Sequence, residues 1–351
     1  MMTLKSAVVG AALLASGAMV QAETNLIHGE AGPNRGARAA ALQWFADQVT
    51  ARSEGDIQLD IQWGGALFKA NAAMQSIGDG VADMGSVIAV YYPQEMAAYG
   101  IADLPLDNPD AWVGMRATDA LMRNSAAIAA NLREKNLVYI GTWTTSQVNI
   151  GCKGAAIRKA EDIDNLKVRG VGAYGKVFGE LGANMVRMSI YDAYQGLDTG
   201  LIDCSQGYSY AVAALKQAEV MDSYTLLNWG QVGGVGMFMN ADVFDGLSQE
   251  QQALLNEVGS DMADEFGRII TAANESAIVA MQEAGVEVIE LAPEERAKLV
   301  EKGGKFLADW VSIADATGLP GQELLEEYQV LIARYSAERD QKGYPWERES
   351  N

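Results

Sequence analysis

Segments with two-residue hydrophobic alternation are followed repeatedly by segments with helical spacing, and this alternation restricts the chain more than any other feature. Ile57, Leu59, Ile61 and Trp63 are separated by Gln58, Asp60 and Gln62, the pattern of a strand with one face buried. Before it, residues 35–52 place Leu42, Phe45, Ala46 and Val49 on one helical face. Strands are also predicted at 25–28, 81–90, 137–143, 166–169, 184–188, 201–205 and 286–291. Helices are predicted at 70–77, 111–135 and 174–181, and from Ser189 to Gly200. Ser248-Gln249-Glu250-Gln251 fits a capping box that opens a long helix to about Gly285, and two further helices fill the remainder. Such an order gives an α/β fold, its sheets covered by helices on both faces. No Pro-, Gly- or Ser-rich linker separates the halves, so the chain can cross between two domains more than once.

The amino end reads differently. Met1 to Lys5 carries one positive charge, residues 6–20 are uncharged and apolar, and Val20-Gln21-Ala22 suits a signal peptidase. We read residues 1–22 as a secretory signal cleaved near Ala22, because fifteen apolar residues are short for a membrane span. The expected location is the periplasm. The 46 acidic side chains against 26 basic ones, a net charge of −20, would repel a nucleic acid. One His and two Cys cannot build a four-ligand Cys/His zinc site, and a Ser-His-Asp hydrolase is poorly served by His28 alone. No nucleophile elbow, P-loop or H-E-x-x-H occurs, and no cofactor or metal is expected.

Four features bear on function. Gly170-Val171-Gly172-Ala173-Tyr174-Gly175 matches the dinucleotide fingerprint between a strand and a helix, although an ordinary strand-to-helix turn also needs small residues there. Arg169 sits at the end of the preceding strand, where open α/β sheets hold their ligands, and its fork can pair with a carboxylate or sulfonate. The alternative is a structural Arg paired with a neighbouring Asp or Glu. Trp63, Phe68, Tyr91, Tyr92, Trp143, Tyr208, Tyr210 and Trp229 lie at or just beyond strand ends and can wall a small-molecule pocket, or simply pack in the core; Trp63, Tyr91, Tyr92, Tyr208 and Trp229 are the expected walls. Cys152 and Cys204, the only cysteines of an exported chain, suggest a disulfide, with two buried thiols as the alternative.

Several of these segments together resemble one family. Gly65-Ala66-Leu67-Phe68, Met74-Gln75-Ser76-Ile77-Gly78-Asp79-Gly80-Val81-Ala82-Asp83-Met84, Leu166-Lys167-Val168-Arg169 and Tyr194-Gln195-Gly196-Leu197-Asp198-Thr199-Gly200-Leu201-Ile202-Asp203 occur in the order found in TRAP-transporter substrate-binding proteins, closest to the dicarboxylate-binding type. The resemblance covers about Asn25 to Tyr335. It implies a two-lobed periplasmic binding protein fold with crossover strands near Thr145 and Gly233 and a long helix bridging both lobes. The implied domains are 23–145 plus 234–270, and 146–233 plus 271–351 with C-terminal bracing helices. The implied role is non-enzymatic: capture of a small organic anion for membrane permease subunits, by a monomer that binds no nucleic acid. A periplasmic dinucleotide-dependent oxidoreductase using Gly170–Gly175 and a ligand receptor for a sensor kinase are the alternatives.

The family's carboxylate-anchoring Arg falls on Arg169. A second Arg often found on the crossover strand is replaced by Thr145-Ser146-Gln147-Val148-Asn149, leaving Gln147 or Asn149 as polar contacts. Gly207, followed by Tyr208, replaces a frequent Asn. These losses point towards a monocarboxylate or sulfonate with an aromatic or apolar part. A C4-dicarboxylate remains the alternative if Lys69 restores the lost charge.

Overall fold

The structure, a computed structural model, describes residues 23–348. The predicted signal segment 1–22 lies outside the described residues. The first half contains β1 (Thr24–Gly29), α1 (Gly36–Arg52), β2 (Ile57–Gln62), α2 (Ala73–Gly78), β3 (Met84–Ile88), α3 (Ala97–Gly100), α4 (Ala111–Asn124), α5 (Ala126–Arg133) and β4 (Leu137–Trp143). Then follow β5 (Gln147–Cys152), β6 (Lys167–Arg169), α6 (Gly172–Glu180), β7 (Asn184–Val186), α7 (Ala193–Asp198), β8 (Cys204–Gly207), α8 (Ser209–Ala214), β9 (Ser223–Gln231) and β10 (Val235–Asn240). The remainder is α9 (Ala241–Gly246), α10 (Gln249–Glu283), β11 (Glu287–Glu290), α11 (Pro293–Gly303), α12 (Lys305–Ala316) and α13 (Gly321–Lys342).

These strands form two sheets. The first has the order β2-β1-β3-β10-β4 and the second β11-β9-β5-β8-β6-β7. β1 pairs in parallel with β2 and β3, whereas β10 is antiparallel to both β3 and β4. The chain leaves the first sheet through residues 144–146 and returns through 232–234. The two crossings are bonded to each other: the Thr145 amide donates to the Val232 carbonyl at 3.1 Å, and the Val232 amide donates to Thr145 Oγ1 at 2.9 Å. Cys152 and Cys204 stand opposite each other on β5 and β8 and are joined as a disulfide.

Three local outcomes differ from the sequence reading. The single helix predicted over 111–135 is two helices, because Ser125 is extended (ψ 108°) and its hydroxyl accepts from the Ile128 amide in the first turn of a new helix. Three helices follow β11 rather than two. Residues 305–342 do not join the second sheet, where the sequence reading grouped them. Trp310 on α12 donates to the Ala97 carbonyl, and Thr118 on α4 hydrogen-bonds Tyr328 on α13, so both helices cover the first sheet's helices. The capping box at Ser248 forms as expected, with bonds of 3.2 Å and 3.0 Å in its two directions.

Candidate ligand-binding site

The carboxyl ends of β1, β2 and β3 face those of β6 and β8 across a cleft of about 690 Å³, measured out to its open mouth. Crevices outside the carboxyl ends of parallel strands are where open α/β sheets bind ligands. Trp63, Ile88, Val90 and Tyr91 wall the cleft from the first sheet, and Val171, Ile190, Tyr191, Tyr208, Tyr210 and Leu215 from the second. Thr145 and Val232 of the two crossings close its back.

Arg169 ends β6 and is only 1% exposed. Its Nη1 donates to the Gln206 carbonyl at 3.0 Å, its Nε to the Met188 carbonyl at 3.2 Å, and its Nη2 to the Tyr91 hydroxyl at 3.5 Å. Among the described residues no carboxylate lies within 4.0 Å of it, so the structural-pair alternative is not realised. A buried guanidinium held by neutral groups costs desolvation that no protein charge offsets. An anion in the cleft would supply the missing opposite charge.

Arg38, near the start of α1, supplies the cleft's second guanidinium. Its Nη2 lies 3.2 and 3.3 Å from the two Glu30 oxygens, its Nη1 donates to the Tyr191 hydroxyl at 2.6 Å, and it stacks over Trp143. Arg35 donates to the Ala214 carbonyl at the cleft mouth. Burial pushes the Tyr210 phenol up to about 12 and those of Tyr191 and Tyr208 higher still. All three rings are therefore neutral hydrogen-bonding groups at physiological pH.

The cleft brings together Arg169, Trp63, Tyr91 and Tyr208 of the sequence-predicted set. The others lie elsewhere, Phe68 and Trp143 among them, both packed in the core. Tyr92 turns into the core of the first lobe, donating to the Ala70 carbonyl at 2.9 Å. Trp229 is fully buried edge-on to Tyr174, at 4.8 Å. Asn149 ties strands together, donating to Ser209 Oγ at 3.3 Å and accepting from the Asn228 amide at 3.0 Å. Gln147 pairs with Gln231 in the sheet, outside the cleft lining. Lys69 is exposed beside Gly65 and does not replace a lost cation in the cleft.

Sequence reasoning missed Glu30, Arg35, Arg38 and Tyr191, whereas Tyr210 was among the strand-end aromatics and does line the cleft. One signal was available: Arg35 and Arg38 stand at the amino end of a helix whose first turn has no acid, where the helix dipole disfavours cations. The glycine motif has a packing explanation. A β-carbon on Gly175 would stand 2.8 Å from the Gly170 carbonyl carbon, so these glycines let α6 start against the end of β6.

Comparison with known proteins agrees with this architecture. The model of the bacterial extracellular solute-binding proteins, family 7 (DctP), matches residues 29–312. The 2,3-diketo-L-gulonate-binding periplasmic protein YiaO of Escherichia coli is 26% identical over 257 residues, 71% of this chain and 76% of its own. A TRAP solute-binding protein of Rhodoferax ferrireducens, solved with benzoate, superposes with a TM-score of 0.80 at 20% identity, covering 90% of this chain and 99% of that one. A marine-metagenome TRAP solute-binding protein specific for aromatic acids, solved with metahydroxyphenylacetate, gives 0.79 at 23% identity, covering 89% and 99%. Fold and family are those of solute receptors rather than enzymes, which removes support from the oxidoreductase reading. With most of its length matched by the family model, the chain belongs to family 7 of the bacterial extracellular solute-binding proteins, the periplasmic receptors of TRAP transporters.

Proposed function

We propose that this protein captures a small organic monocarboxylate with a planar or apolar body and delivers it to a TRAP permease. The observation that carries this reading is Arg169, a buried guanidinium with no acidic partner among the described residues, opening onto a cleft walled by aromatic rings. The ligand's carboxylate takes the fork of Arg169, while Trp63, Tyr91 and Tyr208 enclose its body. A sulfonate satisfies the same anchor. A C4-dicarboxylate is disfavoured, because Lys69 stands outside the cleft and Arg38 is already paired with Glu30. The benzoate and metahydroxyphenylacetate complexes of two fold relatives support an aromatic acid.

The proposed first lobe comprises 23–145 and 234–270, braced by 305–342. The second comprises 146–233 and 271–303. We further propose a monomer exported with loss of residues 1–22, so that amino-terminal sequencing of the exported protein should begin at Glu23.

A thermal-shift screen tests the ligand class. Benzoate and mandelate should raise the melting temperature in a concentration-dependent manner, succinate should do so weakly, and NADH should have no effect. Stabilisation by NADH with no response to any acid would refute the reading.

A further inference from the structure

The turn at residues 188–191 follows β7 and touches both Arg169 and the opposite lobe. On its own side the Met188 carbonyl accepts from Arg169 Nε at 3.2 Å, so this turn and the Gln206 carbonyl together aim the guanidinium. Ser189 shapes the turn, its hydroxyl accepting from the Tyr191 amide at 3.3 Å. Across the cleft, two residues of the first lobe hold the next two positions. The Tyr91 hydroxyl accepts from the Ile190 amide at 3.2 Å and also lies 3.5 Å from Arg169 Nη2. Arg38 Nη1 donates to the Tyr191 hydroxyl at 2.6 Å, and both oxygens of Glu30 steady Arg38 at 3.2 and 3.3 Å.

Tyr91 stands three residues beyond β3, and Arg38 in the first turn of α1. The turn they grip hangs from β7, the edge strand of the second sheet. Parting the lobes exchanges these bonds for bonds to water and withdraws Tyr91 from Arg169. The aim of the guanidinium and the closed arrangement are then linked. A ligand that binds the aimed guanidinium more tightly draws the lobes together, by as much as its affinities for the two arrangements differ.

We propose that Tyr91 and Tyr191 are positioning residues, whose hydroxyls clasp the 188–191 turn to the first lobe and so couple lobe closure to the aim of Arg169. The inference rests on the carboxylate-receptor reading and adds to it the means by which a bound acid is retained. The clasp forms after the acid has entered the open cleft. Its loss therefore speeds release and leaves entry unchanged.

Stopped-flow binding of benzoate to the full mature chain tests this, with scattering of the loaded protein as a second readout. Tyr91→Phe and Tyr191→Phe keep each ring and remove only its hydroxyl, and thermal melts establish that both fold. Tyr91→Phe should raise the dissociation rate roughly threefold to tenfold, the effect of one neutral hydrogen bond. Tyr191→Phe should raise it roughly tenfold or more, because its partner is charged. Association rates should stay at the wild-type value. The loaded double variant should have a larger radius of gyration than the loaded wild type. Tyr92→Phe removes the neighbouring hydroxyl, which donates to the Ala70 carbonyl in the core, and should leave the dissociation rate unchanged. Unchanged dissociation in both cleft variants overturns the proposal. So does faster dissociation from a double variant that closes as fully as wild type, since the hydroxyls would then act on the ligand directly. Failure of every acid to bind the wild-type protein instead refutes the receptor reading beneath it.

Discussion

Two buried ionisable side chains carry opposite pH dependences. Burial lowers the pKa of His28 to about 4, with Arg38 acting in the same direction and Glu30 against it. Burial raises Asp103 to about 7, opposed by the hydrogen bond from the Gly234 amide on the return crossing. For His28, whose folded pKa lies below its ordinary value, stability is lost as pH falls from 6.5 to 4. For Asp103, whose folded pKa lies above its ordinary value, stability is lost as pH rises from 3.8 to 7. Asp103→Asn removes the second dependence alone. The melting-temperature difference between this variant and wild type should widen in the variant's favour from pH 4 to 7 and stay level above. A difference independent of pH would contradict the assignment. Arg169 was legible in the sequence because a cation ending a strand before glycines is unusual. The aromatic set was only partly legible, since a position beyond a strand end does not say which way a ring turns. Tyr91 and Tyr92 are neighbours, yet one faces the cleft and the other the core.

Elements were legible where one periodicity dominated: β1, β2, α1 and the capped start of α10 all appear close to their predicted limits. Apart from the crossover that the resemblance implied near Gly233, residue patterns assigned no element within 206–247, which contains β9 and β10. All six residues of β10 are buried, so no alternation marks it, and β9 mixes polar and aromatic residues between two neighbouring strands. The long helix α10 lies across helices of both sheets, as expected, and Gly259 within it serves close packing. A β-carbon there would stand 2.0 Å from the Ile140 carbonyl oxygen, and one on Gly141 would stand 2.5 Å from the Gly259 carbonyl oxygen. The pair allows α10 to lie directly on β4. Gly259→Ala should therefore cost about 1–3 kcal/mol or more through overpacking against backbone, read as a lower denaturation midpoint. A midpoint at or above wild type would mean that flexibility, not contact, explains this glycine.

At the scale of the whole molecule, the lobes meet through polar contacts around the cleft. Arg38 reaches Tyr191, Tyr91 accepts from the Ile190 amide at 3.2 Å, and Arg35 reaches Ala214. These contacts and the two bonded crossings suit hinged closure over a ligand. The return of α12 and α13 to the first lobe was not legible, because an amphipathic helix shows that it packs but not on which partner. A net charge of −20 disfavours an approaching anion at long range, so on the proposed reading affinity arises locally, at Arg169. Titration calorimetry of a bound aromatic acid, comparing wild type with Arg169→Ala, tests that claim most directly. Removing one side of a buried ion pair costs ~2–5 kcal/mol, so the account predicts a Kd at least ~30-fold higher in a variant that still folds. Equal affinity in the two proteins would contradict it.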